Sequence, residues 1–306
     1  MNWLFLRGEV PTDRPKDEII HDKLEDNDCM WIHLFNALLN GVDTGEVVYF
    51  GGKREHKYNN RYTERWVSHG YTPAVVPDII FARGGLPVYD KSLNRYPNAY
   101  KIYYGAGKRF LPTGGIRYNL VLVDSMKQWQ KANAMGLNAK IFNKPAAPHF
   151  RPIKVTKKYD VCYVGDGRFG FRAKIKGLKW LYKTAPKWAK ILHLGWNGKY
   201  SPPDNVKVKR VRRGDMPYKM SMCKVGVVPY TSYDSAPRVI PEMTACGLPI
   251  VASDEVNFAR GSYTNAIICN RDKIWDNVRL ALRQLESVRF AKNSVESCAN
   301  EIRRLM

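Results

Sequence analysis

Asn143-Lys-Pro-Ala-Ala-Pro-His-Phe-Arg-Pro152 packs three prolines into ten residues. Such a stretch neither continues a helix nor forms a central strand, because proline lacks the amide donor that both ladders need. It reads as a linker over 143–155 and divides the 306 residues into two domains, 1–150 and 151–306.

On either side of this break, short β-rich apolar runs alternate with segments of helical period. Before it they are 3–6, 47–50, 78–82, 99–104, 120–124 and 140–143, and after it 159–164, 191–195, 206–211, 225–230, 249–252 and 266–269. Uninterrupted apolar runs separated by helices are the pattern of a parallel sheet covered on both faces. Two sets of runs predict two α/β domains.

Composition narrows the class. The chain is 44% hydrophobic and 25% charged, which is ordinary for a globular protein and argues against wholesale disorder. No apolar run approaches the ~18 residues of a membrane span. The apolar stretch 3–6 stops at Arg7, short of a secretory core of roughly 7–15 residues. Six scattered cysteines form no C-x-x-C pair and have no histidine at zinc spacing. They predict free thiols in a reduced, cytoplasmic setting, with no structural metal.

Fifty Lys and Arg against 28 Asp and Glu leave a net charge of +22. The excess is uneven: residues 1–150 carry 20 basic and 15 acidic side chains (+5), and 151–306 carry 30 and 13 (+17). Lys176, Lys179, Lys183, Lys187 and Lys190 fall three or four apart, which predicts one solvated face of a helix.

In open α/β sheets ligands bind outside the carboxyl ends of the strands. The first four runs each end on glycine beside a cation: Arg7-Gly8, Gly51-Gly52-Lys53-Arg54, Arg83-Gly84-Gly85 and Gly105-Ala-Gly-Lys108-Arg109. Glycine permits close backbone approach, and Arg or Lys adds charge-assisted hydrogen bonds to an anion. Within 53–66, Tyr58, Tyr62 and Trp66 interleave with basic residues. That pattern fits phosphate pairing with base stacking. It fits equally an amphipathic helix, since the three aromatics are four apart.

The second half holds Asp234-Ser-Ala-Pro-Arg-Val-Ile-Pro-Glu242-Met-Thr-Ala-Cys-Gly-Leu-Pro-Ile-Val-Ala-Ser253. Two carboxylates eight apart bracket the turn into a helix whose first amides can face a diphosphate. Acceptor-only oxygens suit vicinal sugar hydroxyls. This segment resembles the donor-site signature of retaining, nucleotide-sugar-dependent glycosyltransferases of GT-B fold, matching it at Glu242-Met243, Ala245-Cys246-Gly247, Pro249 and the run 250–252. It departs in having Asp234 for the first glutamate and Ser235-Ala236-Pro237 for Gly-Phe-Gly.

The resemblance implies two Rossmann-like domains facing a central cleft, the first binding an acceptor and the second a nucleotide-sugar, a UDP-sugar being favoured, with no other cofactor. Residues 159–165 look like the first strand of the donor domain, and the C-terminal helix is counted with that domain. Glu242 would hold the nucleotide ribose, in a cleft-lining position whose truncation leaves the fold unchanged. Asp234, Arg168, Lys176 and Arg238 would serve the catalytic step, the three cations as stabilisers of the departing diphosphate. Gly8, Ser235, Ala236, Arg172, Lys174 and Met216 join the donor side, the last through a segment, 210–216, that resembles the nucleobase cradle. Arg7, Lys53, Arg54, Arg83, Lys108 and Arg109 face the acceptor. The acceptor expected of so basic a chain is DNA carrying a hydroxymethylated base, such as hydroxymethylcytosine, as in phage genome modification. The alternatives are an envelope or lipid-linked glycan at an anionic membrane surface, and a nucleic-acid-binding protein without activity.

Overall fold

A computed structural model describes residues 1–7, 29–50, 55–57, 62–67, 73, 75–84, 89–105, 111–112, 115–167, 170–231, 237–256, 266–284 and 294–306. The chain forms two compact units, 1–143 with 295–306, and 144–294. The division therefore falls at 143/144 instead of 150/151, and the last helix belongs to the first unit instead of the second. Residues 142–158 contain neither helix nor strand, as the prolines require.

The first unit is built on a sheet in the order β3-β4-β2-β1-β5-β6-β7-β8. Its strands are β1 (Asn2–Arg7), β2 (Thr44–Phe50), β3 (Glu55–Lys57), β4 (Tyr62–Val67), β5 (Ile79–Arg83), β6 (Tyr100–Gly105), β7 (Leu120–Val123) and β8 (Ala139–Ile141). All pairings are parallel except that of β3 with β4. Central β1 buries Trp3, Leu4, Phe5 and Leu6, because both faces are covered. Leu4 and Leu6 join Ile80, Tyr103 and Val121 beneath Tyr89, Leu93 and Ala132, contributed by α2 (Asp90–Arg95), α3 (Met126–Ala134) and the residue before α2. Phe5 meets Phe35 of α1 (Cys29–Leu39) on the opposite face, with ring centroids 3.9 Å apart.

β4 overturns the helical reading of 53–66. Tyr62-Thr-Glu-Arg-Trp-Val67 joins β2 in parallel register, Tyr62 against Gly45 and Trp66 against Tyr49. Aromatic and β-branched residues favour a pleated surface, and a spacing of four fits period two as well as 3.6. Tyr58 lies outside the described residues.

The C-terminal helix α9 (Val295–Leu305) packs on α1. Arg303 donates to the Leu38 carbonyl and pairs with Asp43. Asp43 also accepts from the Met1 amino group and the Trp3 indole. Burial pushes the Asp43 carboxyl up, yet these hydrogen bonds outweigh it and hold it below the usual carboxylate range.

The second unit carries six parallel strands ordered β11-β10-β9-β12-β13-β14. They are β9 (Tyr159–Asp166), β10 (Ile191–Trp196), β11 (Val206–Lys209), β12 (Cys223–Val228), β13 (Ile250–Ser253) and β14 (Ala266–Cys269). Renumbered from β9, this is the Rossmann order 3-2-1-4-5-6, whose switch point lies between β9 and β12. One face packs Val161, Tyr163, Val225 and Val227 against Leu178, Leu181, Ile274 and Val278, from α5 (Leu178–Thr184) and α8 (Ile274–Arg283). On the other, Met243 of α7 (Val239–Ala245) seats on Gly226, where an added Cβ would lie 2.5 Å from the methionine sulfur. The lysine stripe is not one helix face: α5 ends at Thr184, so it holds Lys179 and Lys183 while Lys176 precedes it and Lys187 and Lys190 follow.

His193 is fully buried between Gly165 and Tyr182. The Gly165 carbonyl can only accept, so Nε2 carries the proton and Nδ1 accepts from the Tyr182 hydroxyl, 2.6 Å away. Burial lowers the His193 pKa. The unfolded state then binds more protons, so this contribution is full above the ordinary histidine value of about 6.5 and is lost as pH falls below it.

Two outcomes follow for stability. In denaturant unfolding, Arg303→Ala lowers stability by about 2–3 kcal/mol, through a partly screened ion pair and a half-partnered Asp43. Wild-type stability of the second unit falls between pH 7 and 5, and His193→Gln flattens that slope; an unchanged slope in the variant would place the titration elsewhere.

Candidate functional site

The carboxyl edge of the second sheet is where its loops come closest. Gly165 and Gly167 follow one another at the end of β9, and Gly195 and Gly198 at the end of β10. A Cβ on Gly195 would strike the Gly165 carbonyl, and one on Gly198 the Gly167 carbonyl. Gly195 (φ +145°) and Gly198 (φ +61°) also hold left-handed backbone that disfavours other residues. Across the switch point, Gly177 (φ +73°) sits against the Pro229 carbonyl. Thr231 closes the same seam, its amide donating to Ile175 and its hydroxyl to the Lys174 carbonyl. Ser253, at the end of β13, donates to the Tyr230 carbonyl at 2.9 Å. The exits of β9, β10, β12 and β13 are thus pinned to one another.

Glu242 lies on α7 and is 4% exposed. Its carboxylate pairs with Arg213, from the 3-10 turn Arg213–Asp215 that follows β11. The Arg213 guanidinium lies over Phe150, 4.9 Å from the ring centroid. A carboxylate this buried stays charged only when a cation and hydrogen bonds replace water. The expectation that Glu242 can be truncated with little change in fold is therefore corrected. The pair engages Oε1, and a carboxylate offers about four acceptor sites.

The row of helix amides expected to face a diphosphate is also corrected. Ile240 donates to the Pro237 carbonyl and Glu242 to that of Arg238, while Pro241 has no amide hydrogen. Of the described residues at this helix start, Ile240 and Glu242 thus spend their amides on the chain itself.

Of the residues singled out, Lys176 is half-buried in the turn after α4 (Gly170–Ile175), and its carbonyl accepts from the Tyr163 hydroxyl. Lys174 and Arg238 are exposed, the latter immediately before α7. Met216 is buried at the start of α6 (Met216–Ser221), and its amide bonds the Arg213 carbonyl, so it shapes the turn that carries Arg213. Arg172 is placed on α4 and Arg7 at the end of β1 by their backbones, their side chains lying outside the described set. Gly8, Lys53, Arg54, Lys108, Arg109, Arg168, Asp234, Ser235 and Ala236 lie outside the described residues. Arg83 ends β5 with its guanidinium 4.9 Å from the Trp31 centroid. Trp31 in turn meets Tyr104, whose hydroxyl donates to buried Asp124 at 2.6 Å.

Arg213 and Phe150 are the residues that sequence reasoning missed. A signal was present, because Val239, Ile240 and Met243 around Glu242 are apolar and a glutamate so flanked needs a cation. Among the described residues, no cluster of His, Cys, Asp and Glu converges as metal ligands do.

No family model and no curated protein matches the sequence. Solved structures match its shape. An E. coli trehalose-6-phosphate protein bound with UDP-2-fluoro glucose has a TM-score of 0.64 at 11% identity, over 100% of this chain and 99% of that one. Sucrose-phosphate synthase from Thermosynechococcus elongatus has 0.60 at 13%, over 99% and 94%. Anabaena HepE in complex with UDP and glucose has 0.59 at 13%, over 99% and 94%. At such identities the likeness is one of fold, and over its whole length this chain has the GT-B fold of two Rossmann-like domains.

Proposed function

We propose that the chain is a glycosyltransferase that moves a sugar from a nucleotide-sugar, a UDP-sugar being favoured, to an acceptor hydroxyl. The observation that carries this reading is the Glu242–Arg213 pair, its carboxylate buried, in a segment that resembles a nucleotide-sugar signature. Two of the structures of similar fold hold UDP or a UDP-sugar, which supports the same ligand here.

In this reading the Glu242 carboxylate accepts from the ribose hydroxyls while Arg213 keeps it ionised and aimed. Lys176 and Arg238, with Arg168, meet the diphosphate, whose charge grows as the bond from the anomeric carbon to its oxygen breaks. The acceptor oxygen bonds to that carbon, and its proton passes to the departing phosphate, giving a retaining transfer that needs no protein base. Asp234 contacts the donor sugar.

Two acceptors suit a charge of +22. A hydroxymethylated DNA base is favoured by counterion release alone. A lipid-linked or envelope glycan is favoured by an aromatic and basic surface of the second unit, described below. Nucleotide release from UDP-, GDP- and ADP-sugars, with hydroxymethylated DNA or lipid-linked glycans as acceptors and mass spectrometry of the products, distinguishes them. Silence with every donor would overturn the enzyme reading.

Glu242 itself gives the sharper test. Glu242→Gln is expected to weaken UDP-sugar binding about tenfold by calorimetry, the loss of one charge-assisted hydrogen bond. Glu242→Ala adds about 3 kcal/mol of destabilisation, because half-buried Arg213 loses the carboxylate that neutralises it. Undiminished turnover in the Gln variant would sink the assignment.

A further inference from the structure

On the sheet face covered by α5 and α8, three tryptophans cluster at the surface. Trp180 and Trp275 stack in parallel, centroids 5.9 Å apart and planes at 7°. Trp188 meets Trp275 edge-on at 6.5 Å. The Trp275 indole donates to the Thr184 hydroxyl at 3.0 Å, which donates onward to the Trp180 carbonyl. That polar handle is therefore turned inward. Trp188 is 37% exposed in the loop between α5 and β10, so part of its apolar ring faces solvent.

The α5 side of the cluster is cationic, while Asp272 and Asp276 lie exposed on the side of Trp275. From Leu178 to Lys190 the sequence has four lysines and no carboxylate. Lys183, Lys187 and Arg279 are exposed, and Arg279 lies over Trp188 at 4.9 Å. Among the described residues, none of these three forms an ion pair with a carboxylate.

We propose that this surface docks the protein on an anionic phospholipid bilayer, with Trp188 at its centre and Lys183, Lys187 and Arg279 as its headgroup contacts. Indoles settle at the boundary between hydrocarbon and headgroups, and lysines lay their stems on apolar surface while keeping the ammonium among phosphates. Each basic residue near an anionic surface contributes roughly 1 kcal/mol. Single-stranded nucleic acid fits less well, because stacking needs open ring faces. Here Trp275 has a face against Trp180, and Trp188 has one beneath Arg279. The docking surface is independent of the donor reading, since α7 and its Glu242 cover the opposite face of the sheet from α5 and α8.

The test is co-sedimentation of the full chain with phosphatidylcholine vesicles, with and without about 30% phosphatidylglycerol, at moderate salt. Binding to the anionic vesicles is expected to fall at least tenfold in Lys183→Glu/Lys187→Glu and several-fold in Trp188→Ser. A control of equal charge change, Lys154→Glu/Lys158→Glu, should stay within about twofold of wild type, and UDP-sugar binding should be unchanged in all three. Unfolding midpoints equal to wild type confirm that the variants are folded. Absence of vesicle binding, or an equal loss in the control pair, would overturn the proposal. So would duplex or single-stranded DNA binding that the patch variants abolish while vesicle binding persists.

Discussion

A carboxylate that is 4% exposed has lost nearly all its water, and Arg213 is what makes Glu242 tolerable there. Removing one member of such a pair costs more than the pair itself contributes, because the other charge is left stranded. The constraint spreads from that point. Arg213 must come from a turn beside α7, which fixes the path of 210–216 after β11. Its guanidinium plane is backed by Phe150, so the end of the proline-rich linker is drawn into the second unit.

Glycine contacts supply the second constraint. Gly195 against Gly165, Gly198 against Gly167 and Gly177 against Pro229 are approaches of backbone to backbone, with no room for a Cβ. His193 holds the Gly165 carbonyl from beneath. A carboxyl edge built this way is set by main chain, so the cations and carboxylates that border it can vary without moving it.

All twelve runs became strands, because they are short and rich in β-branched and aromatic residues, which suit the strands of a sheet better than a helix. β4 was harder. Its Tyr62, Glu64 and Trp66 alternate with Thr63, Arg65 and Val67, and the aromatic spacing satisfied a helical period at the same time. The lysine stripe misled for a related reason: a spacing of three or four holds only as far as the helix runs, and Pro186 lies beyond the end of α5. The site was legible in part. Glu242 stood out through its neighbours in sequence, whereas Arg213, 29 positions away, and Phe150 become partners only through the fold. The place of α9 on the first unit depends likewise on Arg303 finding Leu38 and Asp43, contacts with no periodic trace.

If the carboxyl edge of the second sheet holds the nucleotide, backbone hydrogen exchange of the full chain with and without UDP slows within 212–216 and at 239–242, with β1 and β2 of the first unit unchanged. Protection confined to the first unit, or no protection at either segment under saturating UDP, would contradict it.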